Sequence, residues 1–145
     1  MTNKEKIRWL KRYLYLERRI SIRLDALEKW RSRIGKLTPE LSSQPGGGGS
    51  IYKAPQFDLI NKIVDLQDSV YQEVVTLEQT RSAIQLAIEG LEDEGYRTMM
   101  EYRYLQGMSW EWIASVMHYS WRHTHRIHSA ALDMIDIGGN DAKKL

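Results

Sequence analysis

Residues 109–135 read SWEWIASVMHYSWRHTHRIHSAALDMI, and their spacing decides the fold. Trp110, Ile113, Ala114 and Met117 recur at i, i+3, i+4 and i+7, the apolar stripe of a short helix opening after Ser109, a good N-cap. His118-Tyr119-Ser120 makes a turn, and Ser120 caps a second helix expected over 121–136. Thr124, Ile127 and Ala131 form the inward face of that helix, extended by Met134 and Ile135. Its outward face carries Trp121, Arg122, His125 and Arg126, flanked by His123, His128 and Ser129. Arg, His and an aromatic at the N-terminal end of a helix suit contact with base edges and phosphates, so the pattern is that of a helix-turn-helix.

Upstream, a helix over 96–105 stops at Gly107, and Glu92-Asp93-Glu94-Gly95 breaks the long segment before it. That segment, 57–91, has an apolar seam at 3- and 4-residue steps: Ile60, Ile63, Gln67, Val70, Val74, Leu77, Arg81, Ile84, Ile88 and Leu91. Gln67 and Arg81 interrupt the seam, as polar residues do where register or partner number is fixed. Residues 4–34 lack Pro and Gly and read as one helix of roughly 45 Å. Its apolar positions are Ile7, Leu10, Leu14, Ile20, Leu24, Leu27 and Ile34, with a stutter at Glu17 and Ser21 and a stop at Gly35. Between the two arms, 36–56 contains Pro39, Pro45 and the run Gly46-Gly47-Gly48-Gly49-Ser50, a composition expected to stay non-helical.

Charge separates the arms. Residues 1–37 hold 12 basic and 4 acidic side chains, whereas 55–95 hold 2 basic and 9 acidic ones. The expectation is an all-α chain: a long antiparallel helical hairpin, or coiled coil, followed by the helix-turn-helix. Its divisions are a basic helix (1–35), a flexible linker (36–56), an acidic heptad arm (57–92), the helix-turn-helix (93–137) and a tail (138–145). The arms either fold only on each other or also join two chains. A two-helix hairpin leaves much apolar surface wet, which favours a homodimer with Ile60, Ile63, Val70, Val74, Leu77, Ile84 and Ile88 as its seam. Lys4, Lys6, Arg8, Lys11, Arg12, Arg18 and Arg19 are expected mainly to solvate the first helix and pair with the acidic arm. A role on DNA phosphates or on an anionic membrane is the alternative.

The chain has no cysteine, which excludes disulfides, thiolate catalysis and Cys-ligated zinc. No Gly-loop-Lys-Ser/Thr signature, no His-Glu-x-x-His and no nucleophile with base and orienting acid appears, so neither catalysis nor a cofactor is expected. The apolar runs fall short of a membrane span and no signal peptide opens the chain, so the expected location is the cytoplasm of a bacterial host. All four histidines lie between 118 and 128, and only His125 and His128 share a face. DNA contact accounts for them better than zinc, and affinity is then expected to rise as pH falls toward 6. Trp110 is expected in the core, whereas Trp112 is either a partner contact or half-buried packing.

Residues 96–135 resemble the module with which bacterial sigma factors read the −35 promoter element. The likeness runs through Tyr102-Arg103-Tyr104, Gly107, Trp110-Glu111, Ile113-Ala114, Ser120, Ile127 and Ala131-Leu132. The whole chain is similar to the phage-encoded regulators of the ArpU and RinA type from Gram-positive bacteria. These share a basic first helix, a Pro- and Gly-rich linker, a helix like Ile60-Asn61-Lys62-Ile63-Val64-Asp65-Leu66 and a sigma-like end. The Gly46–Ser50 run, also common as an engineered linker, therefore reads as native. The resemblance implies a transcriptional regulator of phage late genes that binds double-stranded DNA and, by analogy with sigma, contacts RNA polymerase. It puts Trp121, Arg122, His125 and Arg126 on bases and Ser120 and His123 on backbone phosphates. Two positions depart from the pattern, His118 where the turn usually has Gly and Thr124 where the inner face usually has Val or Ile. A phage small terminase subunit that recognises a packaging site, and a helical protein-binding scaffold, are the alternatives.

Overall fold

The computed structural model describes residues 1–42 and 49–138, with side chains described over 1–36 and 57–138. All regular structure among the described residues is helical: α1 (Asn3–Leu10), α2 (Arg12–Ser42), α3 (Gly49–Glu89), α4 (Glu94–Tyr104), α5 (Trp110–Met117) and α6 (Trp121–Met134). None of these helices is long and apolar enough to cross a membrane.

The first arm is bent rather than continuous. Thr2 and Glu5 close a capping box at its start. The chain then tightens at Lys11 (φ −72°, ψ −11°), whose N–H is shared by the carbonyls of Ile7 and Trp9. The break lies upstream of the expected stutter, where Trp9 and Leu10 are buried. Gly35 does not end α2, because its φ is not in the left-handed region that makes glycine a helix stop. The expected non-helical stretch is therefore corrected on both sides: 36–42 continue α2 and 49–56 open α3. Pro39 and Pro55 each remove one backbone donor, a loss that helices of 31 and 41 residues carry through their remaining turns. The middle of the expected linker, 43–48, and the tail beyond 138 lie outside the described residues.

Two compact units are present. One comprises Arg18–Val75, where Ile20 and Leu27 of α2 and Ile63 and Val70 of α3 are buried. Arg19 and Arg23 bind the Glu73 carboxylate at 3.5 and 2.8 Å, Arg23 also donates to Ser69 Oγ, and Lys62 lies 5.3 Å from the Trp30 ring. Partner numbers fall from 73 to 62 as the α2 residues rise from 19 to 30.

The other unit joins Met1–Glu17 to Thr76–Leu145, so the chain's first turns share a core with its last helices. Trp9 and Leu10 pack with Ile84, Ile88 and Leu91, with Met100 and Tyr104 of α4, and with Ala131, Leu132, Ile135 and Ile137. The sequence assigns 1–35 to one arm, but the structure divides that arm after Glu17. The break between α3 and α4 also comes earlier than expected. Gly90 follows the last residue of α3, Asp93 caps α4 by accepting from Tyr96 N–H at 3.1 Å, and Gly95 lies inside the new helix. Arg97 donates to the Leu91 carbonyl at 2.7 Å and ties down the connection.

Candidate nucleic-acid interface

The expected α5–turn–α6 segment forms, with each local signal in use. Ser109 Oγ accepts from Trp112 N–H and Ser120 Oγ from His123 N–H, both at 3.1 Å, capping α5 and α6. His118 takes φ 57°, ψ 39°, the left-handed cap expected if it occupies a glycine position. Tyr119 N–H then reaches back to the Ala114 carbonyl at 2.9 Å, the long bond of a Schellman motif. Ile113 of α5 and Thr124, Ala131 and Leu132 of α6 are buried. Thr124 satisfies its buried hydroxyl by donating to the Ser120 carbonyl at 2.9 Å, which explains why Thr is tolerated where an aliphatic is usual. α6 packs on α1, α4 and α5.

The outward first turns of α6 gather the residues expected on DNA. Trp121, Arg122 and Arg126 are exposed, and Ser120 stands exposed at the helix start. The Ser120 oxygen accepts the cap bond, leaving its hydroxyl hydrogen to donate outward. The first amides of a helix have no intrahelical partner, which adds donors and a positive dipole end there. His125 is half-buried, its ring 4.3 Å from Trp121 and 5.6 Å from Trp110. His123 is half-buried, edge-on to Tyr119 at 4.6 Å, and its Nδ1 accepts from the Arg126 guanidinium. Arg126 thus reaches outward from a side chain already held at one nitrogen.

Three expectations about this segment are corrected. His128 does not flank the outward face. It is half-buried, its Nε2 is 2.7 Å from the Tyr104 hydroxyl, and its ring lies 4.5 Å from Trp110. Burial, then the charges of His125, Arg103 and Lys11, lowers its pKa to about 4, so it stays neutral through the range where the histidines were expected to charge. Burial likewise pushes the Tyr104 phenol up to about 12. Met134, placed inward by periodicity, is largely exposed, because α6 ends there and Ile135 turns into extended backbone and the core. Trp110 is half-buried rather than core, with the Arg103 guanidinium 4.7 Å over its ring. Trp112 is partly exposed and packs edge-on against Tyr102 at 5.0 Å.

The expected seam is divided by burial. Ile63, Val70, Ile84 and Ile88 are buried within one chain, which removes their area from any contact with a second copy. Leu77 is half-buried, and Ile60 and Val74 remain exposed. Sequence reasoning missed the contribution of α1. Lys6 Nζ donates to the carbonyls of Leu132 (2.6 Å) and Ile135 (3.2 Å), and Asn3 donates to the Asp133 carboxylate at 3.0 Å. Lys6 was expected to solvate the arm or pair with acids, but it caps the C-terminal end of α6, where a cation meets the negative end of the dipole. The adjacent apolar pair Trp9-Leu10 was the available signal. No family model matches the chain, and neither a curated protein nor a solved structure matches it.

Proposed function

We propose that this chain is a sequence-specific DNA-binding regulator of phage transcription, acting in the bacterial cytoplasm, with α5–α6 as a helix-turn-helix and α6 as its recognition helix. The observation that carries the reading is the exposed turn at the start of α6, where Trp121, Arg122 and Arg126 project beside the Ser120 cap. The falling partner numbers from Arg19–Glu73 to Trp30–Lys62 support an antiparallel helical hairpin for α2 and α3. The sigma-like residues between Tyr102 and Leu132 support activation at a promoter, with RNA polymerase as the second partner. The resemblance to ArpU- and RinA-type regulators supports late genes as the target.

The test is selection of bound fragments from phage and host DNA by the full chain, with an Arg122→Ala/Arg126→Ala variant alongside. A motif upstream of a phage operon, enriched by the native chain and lost in the variant, is the expected result. Enrichment beside a packaging locus would give the terminase reading instead. Equal enrichment by both proteins, or none, would refute α6 as the reading element. In a single-site assay, Arg126→Ala should weaken the selected duplex by about 1–3 kcal/mol.

A further inference from the structure

Within Arg18–Val75, α3 leaves a second apolar stripe in water beside the face it buries. Phe57 is 58% exposed, Ile60 44%, Val64 46%, Tyr71 67% and Val74 39%. With Gln67 between Val64 and Tyr71, the steps are 3, 4, 3, 4 and 3, an uninterrupted heptad alternation over about 26 Å of helix. The buried face of the same helix, Ile63 and Val70, follows its own 7-residue step. α3 thus carries two seams, of which, among the described residues, one is buried and the other stands largely in water.

We propose that this stripe is a homodimer interface in which α3 packs antiparallel against α3 of a second copy. The inference stands whether or not the chain binds DNA. In an antiparallel coiled coil each a position meets a d position of its partner. Taking 57, 64 and 71 as a and 60, 67 and 74 as d, one register uses every member: 57 with 74, 60 with 71, and 64 with 67, each occurring twice about an axis between 65 and 66. The stripe is therefore self-complementary, as a two-fold interface must be. Val64 and Gln67 flank the axis at equal distance, which sets the two Gln67 amides one layer apart, about 4.5 Å along the helix and near enough to hydrogen-bond to each other. Charge favours the same direction. Asp68 and Asn61 stand at e positions; in a parallel pair Asp68 would face the partner's g flank at the apolar, already buried Ile63, whereas the antiparallel pair brings Asp68 near Asn61. The five apolar side chains leave on the order of 500 Å² in water per copy, a large patch for a monomer. Hidden from both sides, with Val75 at the rim, that area approaches the roughly 1,200 Å² where specific interfaces begin.

Sedimentation of the full chain at tens of micromolar tests this. The native chain is expected to be a dimer. Tyr71→Glu and, separately, Val64→Glu are expected to weaken association by roughly 100-fold or more, because a charge enters the seam twice. Leu86→Glu, exposed on α3 beyond the stripe, should leave association unchanged, and circular dichroism should show native helicity in all three variants. The absence of cysteine makes direction readable too. Under mild oxidation, Ile60→Cys mixed with Tyr71→Cys should cross-link as a mixed dimer, while neither cross-links alone. A monomeric native chain, a dimer indifferent to both glutamates, or 60–60 and 71–71 disulfides would each overturn the proposal.

Discussion

His118 and Gly107 should respond to substitution in opposite directions for one conformational reason. His118 holds φ 57° and Gly107 φ +72°, both in the left-handed region. A residue with a Cβ pays roughly 1–2 kcal/mol there, and glycine does not. Glycine, however, gives the unfolded chain more freedom, which offsets about 0.4–1 kcal/mol. His118→Gly should therefore stabilise by about 0.5–1 kcal/mol, and the exposure of His118 means no packing is lost. Gly107→Ala should destabilise by about 1 kcal/mol, slightly more if the Leu14 methyls, 3.4–3.5 Å from the new Cβ, cannot give way. At roughly 4–8 °C per kcal/mol for a unit of fewer than a hundred residues, thermal midpoints should rise about 2–8 °C for the first and fall about 4–8 °C for the second. His118→Ala separates backbone from side chain, since it keeps the Cβ and should stay about 1 kcal/mol below His118→Gly. Paired urea and thermal melts give the values. A His118→Gly protein no more stable than the native chain, with His118→Ala its equal, would refute the strained-cap argument.

Other expectations are as specific. His128 has a folded-state pKa of about 4 against about 6.5 unfolded, so between those values the unfolded chain binds more protons and stability falls as pH drops. The contribution is complete above pH 6.5 and amounts to about 2 kcal/mol after screening of the solvent-facing part of the ring. Denaturation from pH 7 to 4 should be shallower in His128→Gln by that amount, and equal slopes would place the ring elsewhere. Lys6→Met should cost about 1–2 kcal/mol, read in urea melts, because two carbonyls at the end of α6 lose a charged donor. Ile84→Ala should cost about 2–5 kcal/mol, since the side chain is fully buried where α1, α3, α4 and α6 meet; a loss under 1 kcal/mol would contradict that core.

Local signals were legible one residue at a time. Ser109 and Ser120 cap as expected, α5 and α6 start where those serines place them, and the turn runs through a left-handed His118. Each of these is settled within four or five residues, by a side chain that can reach only its neighbouring amides. The exposed start of α6, with Trp121, Arg122 and Arg126, was legible for the same reason, because the cap sets the phase of the helix. Periodicity likewise marked α3 as a helix with an apolar seam.

What no local rule contains is the identity of the surface that covers each face. Periodicity cannot distinguish Ile63, buried in its own chain, from Ile60 beside it, because both satisfy a heptad step. His128 lies on the same helix as His125, yet Tyr104 and Trp110 enclose it and hold it neutral. Lys6 looked like one more solvating cation, until the chain's ends met and gave it the carbonyls of α6. Sequence by itself determined the serine caps of α5 and α6, where those two helices begin, and the residues at the start of α6, through interactions spanning a turn or two. Tertiary structure alone decided which apolar face is satisfied, which histidine is buried and which end of the chain braces α6. Those outcomes depend on contacts between different helices, from 24 positions apart for Tyr104 and His128 to 129 for Lys6 and Ile135, whose pairing is set by the packing of whole helices.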